Sequence, residues 1–246
     1  MNYSEKIKQL AGFIRQSRRV LALTGAGIST ESGIPDFRSK GSGLWEKVDP
    51  MEVLSVQVLK RNPQRFYREG FVHFLKLENA RPNPAHEVLG WLEQREFLAG
   101  VITQNIDGLH QKAGSQRVME VHGHIRTGHC MRCQKKYPMG FIRGKLDTDI
   151  NPPKCTCGGL LRPDVALFGD AMPNDFWRAT AEAEQADLLL VVGSSLSVSP
   201  ANSLTRLVER VAIINLEPTL YDYQADLVIH EKASRVLLDL KSQLEG

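Results

Sequence analysis

The sequence predicts an α/β protein with a doubly wound parallel sheet, interrupted by two insertions, one of which binds a metal. Three observations carry this prediction. Short apolar runs alternate with helical patterns over most of the 246 residues. A glycine-rich loop, Gly25-Ala26-Gly27, directly follows the first of these runs. All four cysteines lie in one short stretch, which in a reducing compartment favours a metal over disulfides.

The apolar runs suit strands buried on both faces of a parallel sheet, and their alternation with helices indicates a doubly wound arrangement. They are Val20 to Leu23, Val101 to Thr103, Val118 to Val121, Leu188 to Val192, Val211 to Leu216 and Leu227 to Ile229. The predicted helices are Ser4 to Ser17, Pro84 to Gln94, Asp175 to Gln185, Pro200 to Val208 and Ser234 to Leu244. Two stretches interrupt this rhythm, at about Gly33 to Pro82 and Ile125 to Pro163.

Composition narrows the class of protein. With 42% hydrophobic residues, the chain can build one large core and a small satellite domain. The net charge of +3 is small and scattered along the sequence, so direct nucleic-acid binding is not predicted. No apolar run approaches the ~20 residues of a membrane span, and Met1 to Leu10 lacks the apolar centre of a signal peptide. We therefore expect a cytoplasmic protein, or a nuclear one in a eukaryote.

The loop after the first strand is the first candidate binding element. A strand, Gly-x-Gly and a helix start are how α/β folds hold a dinucleotide pyrophosphate. The sixth position is Thr30 instead of Gly or Ala, and no acidic residue ends a strand ~20 positions later, which disfavours a conventional dehydrogenase. Phe37 and Arg38 follow soon after, suited to covering a nicotinamide and pairing with phosphate. The alternatives are an ordinary tight turn, a core Phe37 and a solvated Arg38.

Two later strands end in polar side chains. Gln104, Asn105 and Asp107 follow Thr103, and ligands in open α/β sheets bind at carboxyl ends of strands. These three suit ribose hydroxyls and a carboxamide, although Asn105 or Asp107 as a helix cap is an alternative. His122 follows the next strand, where a neutral imidazole suits a general base. A purely structural histidine is the other interpretation.

The cysteines form two pairs. Cys130 and Cys133 are a Cys-x-x-Cys pair, and Cys155 and Cys157 follow about twenty residues later. Four thiolates suit one tetrahedral zinc without an open position, and therefore a structural metal. The second pair has one intervening residue where two are usual, and Gly158-Gly159 follows it. A redox or disulfide role is the alternative.

Together these residues resemble the sirtuin family over residues ~20 to ~235. The matching blocks are Gly25 to Ser29, Gly33 to Arg38, Thr103 to Asp107, His122-Gly123, the cysteine pairs, Phe168-Gly169 and Gly193 to Leu196. The resemblance implies a Rossmann-like NAD-binding domain over 1–35, 83–124 and 164–246. It also implies a cofactor loop and helical module over 36–82, and a small zinc-ribbon domain over 125–163.

The resemblance further implies which residues serve NAD and catalysis. His122 would be the general base, and Asn105 matches a catalytic position. The implied NAD contacts are Ala26, Thr30, Phe37, Arg38, Gln104, Ile106, Asp107, Ser194, Ser195, Asn215, Leu216 and Ala233. The four cysteines would hold one structural zinc.

The implied second substrate is an acyl-lysine in a protein or peptide. It would add as a strand between two segments, which comprise Val165, Ala166, Leu167 and Phe168 on one side and Ser197 and Val198 on the other. Ala166 stands where family members often carry a larger aliphatic residue, which would widen the acyl tunnel.

The implied reaction consumes NAD. The acyl oxygen attacks C1′ of the nicotinamide ribose, nicotinamide leaves, and a ribose hydroxyl deprotonated by His122 captures the acyl group. The products are nicotinamide, free lysine and O-acetyl-ADP-ribose. Three alternatives remain at this point: a mono-ADP-ribosyltransferase, a non-catalytic NAD-sensing or zinc-scaffold protein, and a hydride-transferring dehydrogenase.

Overall fold

A computed structural model describes residues 1–35, 49–75, 77 and 79–246. The predicted NAD contacts Phe37 and Arg38 lie outside the described residues. Within the described part of the chain, no helix is both long enough and apolar enough to cross a bilayer.

Nine strands are described, in two sheets. In chain order they are β1 (Val20–Thr24), β2 (Gly100–Thr103), β3 (Val118–Glu120), β4 (Gly123–Cys130), β5 (Lys136–Pro138), β6 (Leu161–Val165), β7 (Leu188–Val192), β8 (Arg210–Ile214) and β9 (Leu227–Ile229). The large sheet has the order β3-β2-β1-β7-β8-β9, and its pairings are all parallel. The small sheet, β5-β4-β6, is antiparallel. This confirms the predicted doubly wound sheet.

The α-helices flank the sheets and fill the first insertion. They are α1 (Tyr3–Gln16), α2 (Pro50–Val53), α3 (Val56–Arg61), α4 (Pro63–Arg65), α5 (Val72–Leu75), α6 (Pro84–Gln94), α7 (Leu109–Lys112), α8 (Met139–Asp147), α9 (Asn174–Ala183) and α10 (Ala233–Glu245). Local sequence explains several starts. Asn2 and Glu5 form a capping box on α1, and Asn83 caps α6 ahead of Pro84, because both satisfy N–H groups that have no helical partner.

One predicted helix is a 3₁₀ turn instead. Residues Ala201–Arg206 replace the helix predicted from Pro200 to Val208. There the Ser203 and Thr205 hydroxyls donate to carbonyls three residues back, at 2.7 and 2.8 Å, which competes with regular helical pairing. The glycine loop also leads into a 3₁₀ helix, Ala26–Ser32. The strands predicted from apolar runs are confirmed to within one or two residues.

The second insertion and the helical segments share one hydrophobic cluster. Phe66, Phe71, Leu161 and Leu167 are buried in it together with Cys130 and Cys155. The Tyr67 hydroxyl, on the π-helical turn Phe66–Phe71, donates to the Leu161 carbonyl at 2.6 Å. The two insertions therefore pack as one lobe.

Candidate functional site

The crevice of the large sheet lies where strand order reverses, between β1 and β7, which is where open α/β sheets bind ligands. The loops after these strands pack backbone against backbone. Gly27 N donates to Gly193 O at 2.8 Å, and a Cβ on Gly27 would lie only 2.8 Å from that oxygen. Gly193 also has a positive φ of 62°. The glycines are therefore required by the close approach of the two loops.

A buried hydrogen-bond network joins the glycine loop to the end of β2. The Asn105 amide nitrogen donates to Gly25 O at 3.0 Å and to the Ser29 hydroxyl at 3.1 Å. Ser29 in turn donates to Asp107 Oδ2 at 2.8 Å. The other carboxylate oxygen of Asp107 accepts from Leu109 N at 2.9 Å, but the N-cap of α7 is Gly108 and not Asn105 or Asp107. The structure brings Asn105 and Asp107 together through Ser29, which sequence reasoning did not single out.

Two buried histidines lie beneath this network, and neither was predicted. His86 Nδ1 accepts from Asn83 N at 3.3 Å, which leaves the Nε2 proton to face Ser29 Oγ at 3.4 Å. His110 Nε2 lies 2.9 Å from Thr24 Oγ1. Burial lowers the pKa of His86 to about 4 and the pKa of His110 to about 3. Both rings are therefore neutral near pH 7 and act as fixed hydrogen-bonding groups.

These histidines predict acid sensitivity. In the unfolded chain a histidine takes up a proton below about pH 6.5, whereas the folded protein binds it only at far lower pH. Stability present above pH 6.5 should therefore fall as the pH drops toward 4, by up to ~1.4 kcal/mol per pH unit for each histidine. Unfolding midpoints in urea across this range should show a shallower slope for His110→Gln than for wild type. Burial raises the pKa of Asp107, which affects the pH dependence of stability in the opposite direction. Because Asp107 is present in both proteins, this effect does not change the difference between their slopes. Parallel curves would therefore refute the assignment.

His122 follows β3 and has a defined tautomer. Its Nδ1 lies 3.0 Å from the Gln104 carbonyl oxygen, which can only accept, so Nδ1 carries the proton and Nε2 is the unprotonated, basic nitrogen. Burial lowers the pKa of His122, and the hydrogen bond to the Gln104 carbonyl partly opposes this. The Gln104 side chain donates to Ser194 Oγ at 2.9 Å. Gln104 thus links His122 to the loop after β7 through its carbonyl and its side chain.

The turn that carries His122 is held on both sides. Glu120 is buried and forms a two-point ion pair with Arg126, at 2.7 and 2.5 Å. Gly123 has a φ of 74°, and a Cβ there would lie 2.2 Å from Asp164 O. Only glycine fits this position, which explains the His-Gly pair in physical terms.

The first predicted substrate segment lies beside His122. Ala166 N donates to His122 O at 2.9 Å. Two residues on, Phe168 exchanges backbone hydrogen bonds with the helical lobe, donating to Leu54 O at 3.2 Å and accepting from Val56 N at 3.0 Å. Residues 165–168 therefore bridge His122 and the helical segments.

The second predicted substrate segment follows a residue with a strained backbone. Leu196 has a φ of 55° and is buried, an uncommon conformation for a large side chain. Ser194 Oγ accepts its N–H at 3.2 Å, and Asn202 donates to its carbonyl at 3.1 Å. Ser197, of the predicted segment, contacts Ser195 through their hydroxyls at 2.8 Å.

The remaining predicted NAD contacts lie at two edges of the crevice. Ala26 and Thr30 belong to the 3₁₀ helix after β1, and Ile106 is buried between Asn105 and Asp107. Asn215 follows β8, and its carbonyl lies 3.1 Å from His230 Nδ1. The other two in this region are the exposed Leu216 and the buried Ala233, which begins α10.

The four cysteine sulfurs converge. They all lie within 4.8 Å of one another, with Cys130 and Cys157 at 3.5 Å and Cys133 and Cys155 at 3.7 Å. Tetrahedral Zn–S bonds of ~2.3 Å place sulfurs about 3.8 Å apart, so the set fits zinc despite the shortened second pair. Gly159 packs against this site, since a Cβ there would lie 2.6 Å from Cys130 Sγ.

We expect one tightly held zinc per chain. Cys157→Ala should lose the metal and destabilise the protein by more than ~4 kcal/mol, because removal of a structural metal is among the costliest substitutions. Elemental analysis of protein purified without chelator and thermal melting test this. Absence of zinc from the wild-type protein would refute it. So would a variant that loses activity while retaining its metal and melting temperature.

Comparisons with known proteins agree with this arrangement. A sequence profile described as the Sir2 family matches residues 25–200. An "NAD-dependent protein deacetylase 2" of Caldanaerobacter subterraneus subsp. tengcongensis is 52% identical, over 98% of this chain and 96% of the relative. A Sir2 structure with a deacetylated p53 peptide and 3'-O-acetyl ADP ribose has a TM-score of 0.91 at 35% identity, covering 96% of this chain and 98% of that one. A Sir2 structure bound to a propionylated peptide has a TM-score of 0.87 at 35% identity, covering 97% and 98%.

The fold and the site define a doubly wound α/β protein with a polar crevice and a cysteine metal site in a second lobe. The profile match and the near full-length similarity identify it further: the chain belongs to the Sir2 family.

Proposed function

We propose that this protein is an NAD-dependent protein-lysine deacetylase that yields nicotinamide, free lysine and O-acetyl-ADP-ribose. The observation that supports this function most directly is the tautomer of His122. Its Nδ1–H donates to the Gln104 carbonyl, and its Nε2 is therefore available as a base. Relatives named NAD-dependent protein deacetylases support this function, as does the Sir2 structure with acetyl ADP ribose.

The polar network supports the roles proposed for the nicotinamide end of NAD. Asp107 and the Ile106 backbone hold the carboxamide as nicotinamide departs. Asn105 is oriented by its two donated hydrogen bonds to Gly25 and Ser29, so its amide oxygen faces away from them. His122 then removes the proton from a ribose hydroxyl, which strengthens that oxygen as a nucleophile toward the acyl group.

The rest of NAD is proposed to follow the crevice. Ala26 and Thr30 contact it from the 3₁₀ helix after β1. Phe37 and Arg38, which lie outside the described residues, are proposed as further contacts because of the resemblance. Gln104, Ser194 and Ser195 serve the ribose and phosphates, and Asn215, Leu216 and Ala233 line the adenosine end. Those of them that the structure describes lie at the carboxyl ends of parallel strands or in the segments that follow, which supports their assignment.

The acyl-lysine is proposed to add as a strand between residues 165–168 and residues 197–198. Most backbone groups of the first segment are already paired. Ala166 O has no hydrogen-bond partner within the described residues, although its neighbours Val165 O and Leu167 O both have one. It is therefore available as an acceptor for the substrate.

We also propose the predicted domain bounds, with the 36–82 and 125–163 insertions forming the lobe opposite the Rossmann-like domain. A cytoplasmic location is supported by a cysteine cluster suited to metal in a reducing compartment. The small, scattered charge supports the absence of direct nucleic-acid binding.

Mass spectrometry of an acetyl-lysine peptide incubated with NAD tests the function. Deacetylated peptide together with O-acetyl-ADP-ribose supports it. ADP-ribosylated protein with no deacetylated peptide would favour a mono-ADP-ribosyltransferase, and NADH absorbance would favour a dehydrogenase. No turnover at all, in metal-replete folded protein, would favour a non-catalytic NAD-binding protein.

A further inference from the structure

A largely shielded ion pair closes the turn that contains the first predicted substrate segment. Arg162, on β6, and Asp170, beyond that segment, meet through two contacts of 2.6 and 3.2 Å. Their side chains are only 12% and 17% exposed. Two-point pairing of this kind fixes geometry more strongly than a single contact.

Both side chains also hold the backbone between them. Arg162 Nη2 donates to Val165 O at 2.9 Å, and Asp170 Oδ2 accepts from Leu167 N at 2.9 Å. Asp170 N donates back to Leu167 O at 3.0 Å. We name the two residues, with these bonds, the Arg162–Asp170 clasp.

The clasp acts on the residue between its anchor points. Val165 and Leu167 flank Ala166, whose N–H is committed to His122 O and whose carbonyl has no partner among the described residues. With Val165 O and Leu167 N fixed by the clasp, Ala166 O is held in one direction. If the clasp were lost, residues 165–168 would still keep their backbone hydrogen bonds to His122 at one end and to Leu54 and Val56 at the other.

Electrostatics favour a permanently charged clasp. Burial alone would raise the pKa of Asp170, but hydrogen bonds from Arg162 and Leu167 outweigh it and lower that pKa below its ordinary value. A guanidinium carries a delocalised positive charge, so the clasp pairs it with a carboxylate whose charged form is favoured.

We propose that Arg162 and Asp170 are positioning residues for the acyl-lysine substrate, because their clasp pre-orders the backbone edge on which the substrate strand pairs. This rests on the proposed deacetylase function. A segment ordered before binding loses less conformational freedom when the peptide arrives. The clasp should therefore affect the affinity for peptide far more than the affinity for NAD or the chemical step.

The test compares wild type with Asp170→Asn, which keeps the shape but turns amide protons toward the guanidinium. The acetyl-lysine peptide should bind about tenfold more weakly, by Kd and by KM, as expected for a lost charge-assisted contact. The KM for NAD and the kcat at saturating peptide should change less than about threefold, since the crevice network is untouched. Hydrogen exchange of the apo protein should speed up over residues 163–169 and not elsewhere.

Arg162→Lys is the second variant, since it keeps the charge and loses the planar fork. It should weaken peptide binding in the same direction, and it carries the test if Asp170→Asn does not fold. Asp170→Glu, which retains the carboxylate, should recover part of the loss. Glu182→Gln is the matched control. It breaks the Arg19–Glu182 ion pair. Arg19 precedes β1 and therefore lies at the amino ends of the parallel strands, whereas the crevice lies at their carboxyl ends. The variant should leave peptide binding unchanged.

Unchanged peptide affinity in folded clasp variants would overturn the proposal. So would equal losses in peptide affinity, NAD affinity and kcat, because those indicate general loosening of the fold. Wild-type protein that neither binds nor deacetylates the peptide would overturn the proposed function instead, and that result appears before any variant is compared.

Discussion

His122→Ala should lower kcat for deacetylation by at least ~100-fold while the protein stays folded, because general-base help is typically worth 10²–10⁴-fold. The loss should fall on the step that needs a base. Nicotinamide release requires only attack at C1′, so exchange of labelled nicotinamide into NAD should persist in the variant. Turnover, exchange and thermal melting together separate lost catalysis from lost folding.

The wild-type pH profile offers a second readout for His122. The base is active only when neutral, and burial lowers its pKa. The fall of kcat at acidic pH should therefore have its midpoint below the ordinary histidine pKa of about 6.5. His124→Ala is a suitable control, since His124 is a half-buried histidine two positions further on and has no proposed role in proton transfer. Retention of more than about a tenth of wild-type turnover by His122→Ala would refute the assignment.

Acetyl-, propionyl- and butyryl-lysine should each be hydrolysed with a kcat/KM at least ~100-fold higher than that for succinyl-lysine. Family members that prefer succinyl or malonyl groups resemble one another in a Tyr-x-x-Arg pair in the helical module, and this sequence offers none at Gly70 to His73. Burying a carboxylate without a cation costs several kcal/mol, and each ~1.4 kcal/mol is tenfold.

The structure strengthens this expectation for the nearest tyrosine and arginine. The Tyr67 hydroxyl is buried and committed to the Leu161 carbonyl, and Arg68 is 71% exposed and paired with Glu69. Neither is available to clamp an acyl carboxylate.

Kinetics on one peptide carrying each acyl group would measure the ratio directly. Acetyl and propionyl peptides serve as matched neutral references for chain length. Equal or better activity on the succinyl peptide would mean that another residue, such as His73, supplies the charge, and the acetyl preference would then be withdrawn.

The elements that could be predicted are those with a local cause. The runs Leu188–Val192 and Leu227–Ile229 became strands with the predicted bounds, and α6 begins and ends as predicted. Continuous apolar runs, a Pro in the first helical turn and paired cysteines each indicate a structure from a few neighbouring residues. The miss at residues 201–206 also has a local cause, because side-chain hydroxyls there compete with regular helical pairing and favour 3₁₀ geometry.

The site was predicted as a set of strand ends, but its connections were not. Ser29 and Asp107 are 78 positions apart and His110 is 86 from Thr24, so no local pattern indicates that they bond. Ser29 had the weaker signal of belonging to the glycine loop. His86 and His110 had none, because a histidine in a helical pattern looks the same whether it is buried or exposed.

By itself, then, the sequence determined the α/β class, the strands and long helices, the cysteine metal site and the resemblance that led to NAD. Only the tertiary structure decided which nitrogen of His122 carries the proton, which histidines are buried and neutral, and that Arg162 and Asp170 pair across the predicted substrate segment. The physical reason is that propensity and periodicity act over one or two turns of chain. Protonation, tautomer and ion pairing instead depend on desolvation and on partners that only the folded chain brings within ~3 Å.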